Sequence, residues 1–391
     1  MTSAEIRELA RACGFELAGV AAADPPSEDR ERYRAWVEAG FAGGMRYLTD
    51  RRAAVRDDPR NLLASARSVV CVGKLYNTPR PYSTRHTDPE LAWISRYAWG
   101  EDYHGAVRCG LERLDGMLRE RAVAGYESRI AVDTAPPFSG ADLPVCLPGY
   151  ESRIAVDTAP LLERSFARLA GLGWIGKNTC LINQGGGSWF FLGELLVSLD
   201  IAPDAPPPDR CGTCRRCIDA CPTAAIVPSP AGTGWAVDSR LCISYSTVEL
   251  RGAIPEERRA SHGRHVFGCD ICQDVCPWNR RAPVTAGDAF EPRHAAPPLA
   301  MLAGISEAEF RSMFRGTSVT RARYAGFLRN VAVAMGNSGL PEFRAPLERL
   351  AASGDPLIAE HARWALEKLA PCRGRACPTP TSQRNPMLRT P

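Results

Sequence analysis

Eight of the fifteen cysteines fall in one stretch of the 391-residue chain, and their spacing is regular. A first run follows the pattern C-x2-C-x2-C-x3-C-P and a second follows C-x2-C-x3-C-P, with one further cysteine between them. These residues are Cys211, Cys214, Cys217, Cys221, Cys242, Cys269, Cys272 and Cys276. Thiolates at this spacing bind iron–sulfur clusters, so the pattern indicates electron-transfer chemistry.

Two complete ligand sets can be drawn from these cysteines, because in two-cluster proteins the fourth cysteine of a run binds the other cluster. Cluster one is predicted at Cys211, Cys214, Cys217 and Cys276. Cluster two is predicted at Cys221, Cys242, Cys269 and Cys272. Tetrahedral zinc is an alternative for paired CxxC motifs, and disulfides are a third. The Cys-Pro endings and the triple spacing favour two [4Fe–4S] clusters.

The composition is that of a soluble globular protein of two or three domains, with 45% hydrophobic and 24% charged residues. No apolar run is long enough to cross a membrane, and the residues from Met1 to Arg7 lack the apolar core of a signal peptide. We therefore expect a cytoplasmic monomer with no membrane association. A reducing compartment also suits metal clusters better than disulfides.

Charge is distributed unevenly along the chain. Residues 311–391 contain 13 Lys and Arg against 5 Asp and Glu, whereas the whole chain has a net charge of only +4. The rest of the chain is therefore net negative. A basic C-terminal region could bind nucleic acid through phosphate contacts. A solvated surface with a basic tail is the alternative.

Residues 1–205 alternate between apolar runs typical of strands and amphipathic stretches typical of helices, which predicts an α/β (α+β) domain. Proline-rich segments mark its end and the end of the cysteine-rich region. The predicted domains are 1–205, a ferredoxin-like two-cluster domain at 206–290, an α-helical HEAT-like module at 291–371 and a disordered tail at 372–391. Within them, helices are predicted at Arg30–Ala39, 105–124, Ser318–Asn337 and Pro356–Leu369, and strands at Val69–Val72 and Ser188–Val197.

Twelve residues occur twice without change, as Gly125–Pro136 and again as Gly149–Pro160. Two copies do not make a repeat fold, so we interpret the repeat as a local duplication or a sequence error. Only the second copy leads into a good helix start. We therefore expect Asp157, and not Asp133, to occupy the working position, with residues 125–148 forming an extruded loop.

A glycine motif at 171–176 (GLGWIG) matches the dinucleotide-binding pattern G-x-G-x-x-G. That function requires a strand before the motif and a helix after it. Here the preceding residues are predicted to be helical and the following ones extended, so we do not expect NAD binding. The glycines instead indicate close approach of backbone to a flat ligand or to another segment.

Several segments together resemble the epoxyqueuosine reductases, which are iron–sulfur enzymes that use cobalamin and act on tRNA. The resemblance covers residues 1–370 and rests on the combination of motifs. The matching segments are 96–104 (RYAWGEDYH), 156–164 (VDTAPLLER), 170–179 (AGLGWIGKNT), 188–194 (SWFFLGE), 211–223, 241–245, 268–279, Leu328–Asn330 and Gly336–Asn337.

This resemblance implies reduction of epoxyqueuosine to queuosine at the wobble position of a tRNA with a queuosine-type anticodon, the last step of queuosine biosynthesis. Electrons would pass from an external donor, such as a ferredoxin or flavodoxin, through the two clusters to cobalamin. The family's proton donor is the aspartate of its Asp-Thr-Ala-Pro motif, which corresponds to Asp157 here. For that role we expect burial near the corrin to raise its pKa. Without the resemblance, Asp157 would be interpreted as a turn or helix N-cap residue.

Cobalamin is implied by the resemblance and not by a motif of its own. The D-x-H-x-x-G signature is absent, because Val107 stands where Asp102-Tyr103-His104 would need a glycine. The family binds cobalamin without a lower axial histidine, so this absence agrees with the resemblance. Residues expected to contact cobalamin are Arg56, Tyr97, Asp157, Asn178, Thr179, Ser244 and Tyr245. Structural roles are the alternative for each.

Arginine is the residue expected to contact tRNA, because it binds phosphates in a bidentate manner and stacks on unpaired bases. The seven candidates are Arg258, Arg259, Arg264, Arg315, Arg321, Arg323 and Arg329. Ion pairs with nearby carboxylates are the alternative role for some of them.

Two other functions fit parts of the sequence. One is a cobalamin and iron–sulfur reductase of a small substrate, similar to the reductive dehalogenases, although those usually carry an export signal and lack a basic helical module. The other is a non-catalytic two-cluster electron carrier. A carrier would not need the large N-terminal domain or the stretch around Asp157.

Overall fold

The computed structural model describes residues 1–122, 130–131, 150–285 and 288–370. The predicted tail at 372–391 lies outside the described residues, as does the predicted loop at 125–148 apart from residues 130–131. Within the described ranges, no helix is long and apolar enough to cross a membrane.

The strands are short except in the N-terminal half of the chain. They are β1 (Leu17–Ala22), β2 (Ser68–Leu75), β3 (Trp93–Ile94), β4 (Ile130–Ala131), β5 (Ser152–Ala155), β6 (Trp174–Ile175), β7 (Leu181–Ile182), β8 (Phe190–Val197), β9 (Ile226–Pro228), β10 (Trp235–Val237) and β11 (His265–Phe267).

The helices are longest at α4, α12 and α14. They are α1 (Ser3–Ala12), α2 (Ser27–Glu38), α3 (Arg52–Val55), α4 (Tyr103–Arg121), α5 (Glu163–Leu169), α6 (Arg216–Asp219), α7 (Ile243–Val248), α8 (Glu256–Arg259), α9 (Ile271–Asp274), α10 (Leu299–Gly304), α11 (Glu307–Met313), α12 (Tyr324–Ser338), α13 (Arg344–Ala351) and α14 (Pro356–Leu369).

A five-stranded sheet in the order β1-β2-β8-β5-β4 is the centre of the N-terminal region. The first four strands are antiparallel, and β4 runs parallel to β5. Val70 and Val72 pack with α1 and α4 on one face, whereas Val69 and Cys71 pack with α5 on the other. A strand that is buried on both faces of its sheet has a continuous run of apolar residues. Because antiparallel pairing dominates, the architecture is α+β, the second form of the predicted class.

Helix α4 packs closely against β8 because Gly193 leaves room for it. A Cβ atom at Gly193 would lie 2.6 Å from Cγ1 of Val107. The N-terminus of α4 is capped by Asp102, whose carboxylate accepts the His104 backbone N–H at 3.1 Å. This packing brings the first turn of α4 to the end of the sheet.

Most predicted elements are present, with one correction. The segment predicted as a single helix, Ser318–Asn337, is a 3-10 turn over Ser318–Ala322 followed by α12. Arg323 separates them with a φ of 59°, which no helix residue adopts. The glycine motif also follows helix α5, contains β6 and precedes its partner strand β7, as expected for a segment that is not a dinucleotide fold.

The C-terminal helices share one apolar core with two earlier segments, 92–99 and 248–267. Arg329 and Asn330 of α12 donate hydrogen bonds to backbone carbonyls of residues 246–266. Asn337 does the same for Arg259 and Gly263. The core therefore continues across the predicted boundary at residue 291.

Candidate active site and cluster-binding sites

The structure brings the four cysteines predicted for cluster one around one cavity of about 340 Å³. We call Cys211, Cys214, Cys217 and Cys276 the first cysteine group. Burial, and then the neighbouring thiols, raise the pKa of Cys217 to about 11, and burial raises that of Cys276 to about 11 as well. A single water occupies about 30 Å³ of liquid, so the cavity has room for a polynuclear cluster.

The loop that carries the first cysteine group is held by the lysine that follows the glycine motif. Lys177 Nζ donates to the carbonyls of Gly212 and Cys214 at 2.6 and 2.9 Å. The indoles of Trp174 and Trp278 meet edge to face beside the group, with ring centroids 5.0 Å apart. The motif therefore supports a metal-binding loop, a role that the sequence interpretation left open.

The other four cysteines predicted to bind a cluster form a second set. We call Cys221, Cys242, Cys269 and Cys272 the second cysteine group. Burial and the neighbouring Cys242 raise the pKa of Cys269 well above its usual value. The neighbouring Cys272 lowers the pKa of Cys180, which follows the glycine motif. The structure thus brings the cysteines of each predicted set near one another, and their role as cluster ligands stays a prediction.

Asp157 lies directly beyond β5, in a conformation that few non-glycine residues adopt. Its φ is 53°, and its backbone N–H donates to Glu163 Oε1 at 2.6 Å. Its side chain is 48% exposed, and Oδ2 lies 3.5 Å from His104 Nε2. Backbone strain of this kind is concentrated at functional sites.

His104 connects two carboxylates, and we call Asp102, His104 and Asp157 the acid site. His104 Nδ1 lies 2.6 Å from Asp102 Oδ1, and Nε2 faces Asp157. Burial lowers the pKa of His104, but hydrogen bonds to both carboxylates outweigh it and raise the pKa to about 9. At neutral pH the ring is therefore an imidazolium.

The pKa of Asp157 is lowered, and this corrects the expectation that burial raises it. Burial does act in that direction, but the hydrogen bond and charge of His104, together with the Tyr103 hydroxyl, outweigh it. An adjacent cation favours the ionised carboxyl. The proton of the pair therefore resides on His104.

Two aromatic stacks fix the position of His104. The Tyr103 ring stacks on His104 with centroids 4.2 Å apart, and on Phe191 of β8 at 4.2 Å with an interplanar angle of 4°. The sheet therefore orients the acid site through Phe191.

Two glutamates near the acid site were not singled out from the sequence. Burial and the charge of Asp157 raise the pKa of Glu163 to about 8. Glu194 is 0% exposed, and neither carboxyl oxygen has a hydrogen-bond partner among the described residues. Burial raises the pKa of Glu194 well above its usual value. A glutamate within the apolar strand β8 is the signal that could have identified this group.

The residues predicted to contact cobalamin divide between two places. Asn178 Nδ2 donates to the Cys272 carbonyl at 3.4 Å, and Thr179, with a φ of 61°, is held by Arg164 at 2.6 Å. The charge of Asp157 contributes to the raised pKa of Tyr97. These three residues therefore lie around the second cysteine group and the acid site.

The other three predicted cobalamin residues lie outside the acid site. Arg56 is buried, and its Nη1 donates to the Tyr47 carbonyl at 3.1 Å. The Tyr245 hydroxyl accepts the Gly44 N–H at 2.7 Å, and Ser244 precedes it on α7. Tyr245 follows Cys242 by one helical turn.

The seven arginines predicted to contact tRNA do not share one surface. Arg315, Arg321 and Arg323 are exposed. Arg321 also forms an ion pair with Glu249 at 2.5 Å, and its charge helps to lower the pKa of Asp157.

The other four arginines make contacts within the fold, and for the two buried ones, Arg259 and Arg329, this corrects the prediction. Arg258 and Arg264 are partly exposed, and their contact with tRNA stays a prediction. Arg329 is 0% exposed and Arg259 only 4%, so neither can reach a phosphate. Arg264 donates to the carbonyls of Leu91 and His86. Arg258 donates to the Arg240 carbonyl. Their guanidinium groups bond backbone carbonyls within the fold.

Two family models match the chain. Residues 56–134 match the family described as "Epoxyqueuosine reductase QueG, DUF1730". Residues 210–279 match the "4Fe-4S double cluster binding domain", which contains both cysteine groups.

Two solved structures of epoxyqueuosine reductases resemble the whole fold. One, in complex with an epoxyqueuosine-modified stem loop of tRNA-Tyr, has a TM-score of 0.78 at 27% identity and covers 94% of this chain and 89% of that one. The other, from Bacillus subtilis, has its catalytic aspartate loop swung out of the active site. It has a TM-score of 0.78 at 26% identity, covering 94% of this chain and 90% of that one.

Curated relatives extend the similarity over nearly the full length. The epoxyqueuosine reductase of Xanthomonas campestris is 38% identical, covering 93% of this chain and 95% of its own. Those of Pseudomonas aeruginosa and Escherichia coli are 39% and 35% identical, covering 93% of this chain and 93% and 88% of their own. With this identity and coverage, the chain belongs to the epoxyqueuosine reductase family of oxidoreductases.

Proposed function

We propose that this enzyme reduces the epoxide of epoxyqueuosine in tRNA to the alkene of queuosine, with the acid site supplying a proton. The reaction adds two electrons and two protons and releases the epoxide oxygen as water. The observation that carries the proposal is the His104–Asp157 pair, which holds a proton beside a half-exposed carboxylate. Family membership supplies the substrate class.

The two cysteine groups fit [4Fe–4S] clusters, because each gathers four sulfurs and combines cysteines of both runs. Cobalamin fits the remaining residues. The His104 ring belongs to the acid site, since Nδ1 contacts Asp102 and Nε2 faces Asp157 Oδ2 at 3.5 Å. Tyr97, Asn178, Thr179, Ser244 and Tyr245 would hold the cofactor, and Arg56 would support them from within the fold. When bound, cobalamin supplies a cobalt centre that can carry two electrons, which clusters deliver singly.

Proton delivery begins at His104 in this proposal. Because His104 is an imidazolium and Asp157 is ionised, the proton can move along the 3.5 Å contact to Asp157 Oδ2 as the epoxide C–O bond breaks. Asp102 retains the imidazole in the correct orientation through its 2.6 Å contact. Asp157 is then the residue that presents the proton to the substrate oxygen.

The tRNA contacts would come from the exposed arginines Arg315, Arg321 and Arg323. A relative in this family is known in complex with an epoxyqueuosine-modified stem loop. Arg321 lies close enough to Asp157 to affect its pKa, so an anticodon bound there would bring its wobble base to the acid site. Arginine suits this role through phosphate contacts and base stacking.

The duplicated segment provides a matched control for the test. Asp157→Asn should reduce product formation by about 10²–10⁴-fold, the range for loss of a general acid, whereas Asp133→Asn should leave it unchanged. The assay is anaerobic, with cluster-loaded enzyme, cobalamin, dithionite and epoxyqueuosine-bearing tRNA, and queuosine is measured by nucleoside mass spectrometry. Equal activity in the Asp157→Asn variant would reject the proton role. Loss of activity only in the Asp133→Asn variant would assign that role to the first copy.

A further inference from the structure

The first cysteine group borders a cavity that reaches the protein surface. Arg210 and Arg216 line this cavity together with the four cysteines, and both arginines are exposed. Cys211, Cys214 and Cys217 are themselves partly exposed. A cluster at the first group would therefore lie close to solvent, where an external protein can approach it.

Unpaired arginines surround the first cysteine group. Arg210 and Arg216 line the cavity, and Arg280 and Arg281 follow Trp278, another cavity residue, by two and three positions. All four are exposed, and within the described ranges none has a hydrogen bond or ion pair through its guanidinium group. We call these four arginines the cationic rim.

Nearby carboxylates do not neutralise the cationic rim. Asp219 lies 3.5 Å from Arg215 and is already paired. The Asp209 carboxylate accepts the Cys211 backbone N–H at 2.7 Å. This hydrogen bond shapes the loop, so Asp209 is not paired with an arginine. Four free cations beside a redox site produce a local positive potential that attracts acidic partners.

We propose that the cationic rim is the docking surface for an acidic one-electron carrier protein with a flavin or iron–sulfur group. Each encounter oxidises the carrier by one electron and reduces the cluster at the first cysteine group by one electron. Two encounters supply the two electrons that the epoxide requires. This inference rests on the proposed function, and it adds the entry point for electrons.

A tRNA surface is the competing occupant for exposed arginines, and the geometry favours the carrier. The charges of His104 and Arg321 help to lower the pKa of Asp157, so these residues lie near it. Neither residue lines the cavity of the first cysteine group. The cationic rim is thus associated with the cluster and not with the acid site. Phosphates bound there would not bring a wobble base to Asp157.

The test uses charge reversal in the cluster-loaded enzyme. In the Arg210→Glu/Arg216→Glu variant, the Kd for an acidic flavodoxin should rise by about tenfold or more at low ionic strength, and the difference should shrink at high salt. The rate at which reduced flavodoxin bleaches the cluster absorbance, followed by stopped flow, should fall to a similar extent. Reduction by dithionite, a small ion that needs no docking surface, should be unchanged.

Arg349→Glu/Arg363→Glu is the matched control, because both residues are exposed on α13 and α14, away from the cysteine groups. It carries the same charge change and should leave the flavodoxin Kd unchanged. Iron content and the visible spectrum establish that clusters are intact. If the first variant loses its clusters, Arg280→Glu/Arg281→Glu replaces it, since those residues do not line the cavity.

The outcomes separate this inference from the proposed function. An unchanged flavodoxin Kd overturns the docking surface, and so does a selective loss of affinity for the tRNA stem loop. Dithionite-driven formation of queuosine by the variant shows that the proposed function stands by itself. Absence of queuosine with the wild-type enzyme and dithionite would reject the proposed function, while the flavodoxin Kd would still report on the surface.

Discussion

Buried polar groups occur in two regions of this molecule, and they are satisfied very differently. In the helical junction, formed by Arg329, Asn330, Asn337 and His361, the polar side chains bond backbone groups of residues 246–266 or of their own helix. In the acid site and its neighbours, Glu194 has no partner among the described residues and His104 lies between two carboxylates.

This difference distinguishes structural from chemical roles. A buried polar group that is fully bonded stabilises one arrangement of the chain. Groups with shifted pKa values and incomplete bonding destabilise the fold and are retained where chemistry requires them. The comparison predicts that substitutions in the helical junction reduce stability, whereas those around the acid site reduce activity.

The largest stability effect is expected at Arg329. Its guanidinium donates to the carbonyls of Ser246, Leu250 and Gly252 at 2.5, 3.0 and 2.6 Å. Arg329→Met leaves these buried acceptors without donors and should lower the free energy of unfolding by about 3–4 kcal/mol. Urea unfolding monitored by circular dichroism measures the change.

The exposed Arg363→Met variant is the control for this experiment and should differ from wild type by less than about 0.5 kcal/mol. If Arg329→Met were as stable as the control but failed to bind tRNA, the original assignment of Arg329 to tRNA would be right.

The next effect concerns His361, which is held as the neutral Nδ1–H tautomer. Nδ1 lies 2.8 Å from the Leu357 carbonyl and must donate, while Nε2 accepts the Ile254 N–H at 3.0 Å. Burial lowers the pKa of His361 to about 4. The unfolded chain binds this proton below about pH 6.5, so stability is complete above that pH and is lost as pH falls toward 4.

His361→Gln should remove part of this pH dependence, by up to about 3 kcal/mol at the acidic end. His262 is 1% exposed with a pKa lowered by burial to about 4, and it retains its own contribution in the variant. Urea midpoints measured from pH 7.5 to 4.5 test this. Identical slopes for the variant and wild type would show that His361 does not titrate between the two states.

The patterns that could be predicted from sequence were those with local causes. Local spacing predicted that Cys211, Cys214 and Cys217 lie together and that Cys269 and Cys272 do, which agrees with the structure. Cluster binding by these residues stays a prediction. The bounds of α14 were predicted correctly, since Pro356 and an apolar period specify that helix. The role of Asp157 stays a prediction.

Long-range contacts explain what could not be predicted. Arg329 and Arg321 are chemically identical and eight positions apart, yet one is enclosed by residues about 80 positions earlier in the chain and the other faces the acid site. Similarly, the lowered pKa of Asp157 depends on His104, which reaches it only because α4 packs on β8. Neither the burial of Arg329 nor the lowered pKa of Asp157 can be predicted from a local sequence pattern.

Substitution of His104 in the acid site is expected to change the rate of queuosine formation and its dependence on pH. His104→Gln keeps a hydrogen bond to Asp157 but cannot hold the proton, so single-turnover formation of queuosine should fall by about a hundredfold. In the wild type, activity should decrease as pH rises through the His104 pKa of about 9. Asp102, Tyr103, Asp157 and Glu163 are the titratable groups around this ring. The variant should lack this decrease.

His294→Gln is the control, because that ring contacts Phe314 and not the acid site. It should keep both the rate and the alkaline decrease of the wild type. An alkaline decrease that persists in His104→Gln would assign the titration to another group, of which Glu163, with a pKa of about 8, is the nearest candidate.

The smallest effect, and the sharpest comparison, is expected at Glu194. Its carboxyl is buried, has a pKa raised by that burial and has no hydrogen-bond partner among the described residues, so Glu194→Met should stabilise the protein by about 1–2 kcal/mol. If the carboxyl serves the neighbouring acid site, the same variant should form queuosine several-fold more slowly, whereas Glu194→Gln, which keeps the polar group, should match the wild type in stability. Urea unfolding and single-turnover assays on the wild type and the two Glu194 variants measure these stabilities and rates. Loss of stability in Glu194→Met would mean that the carboxyl is bonded as fully as the groups of the helical junction, and the distinction between the two regions would then fail at this residue.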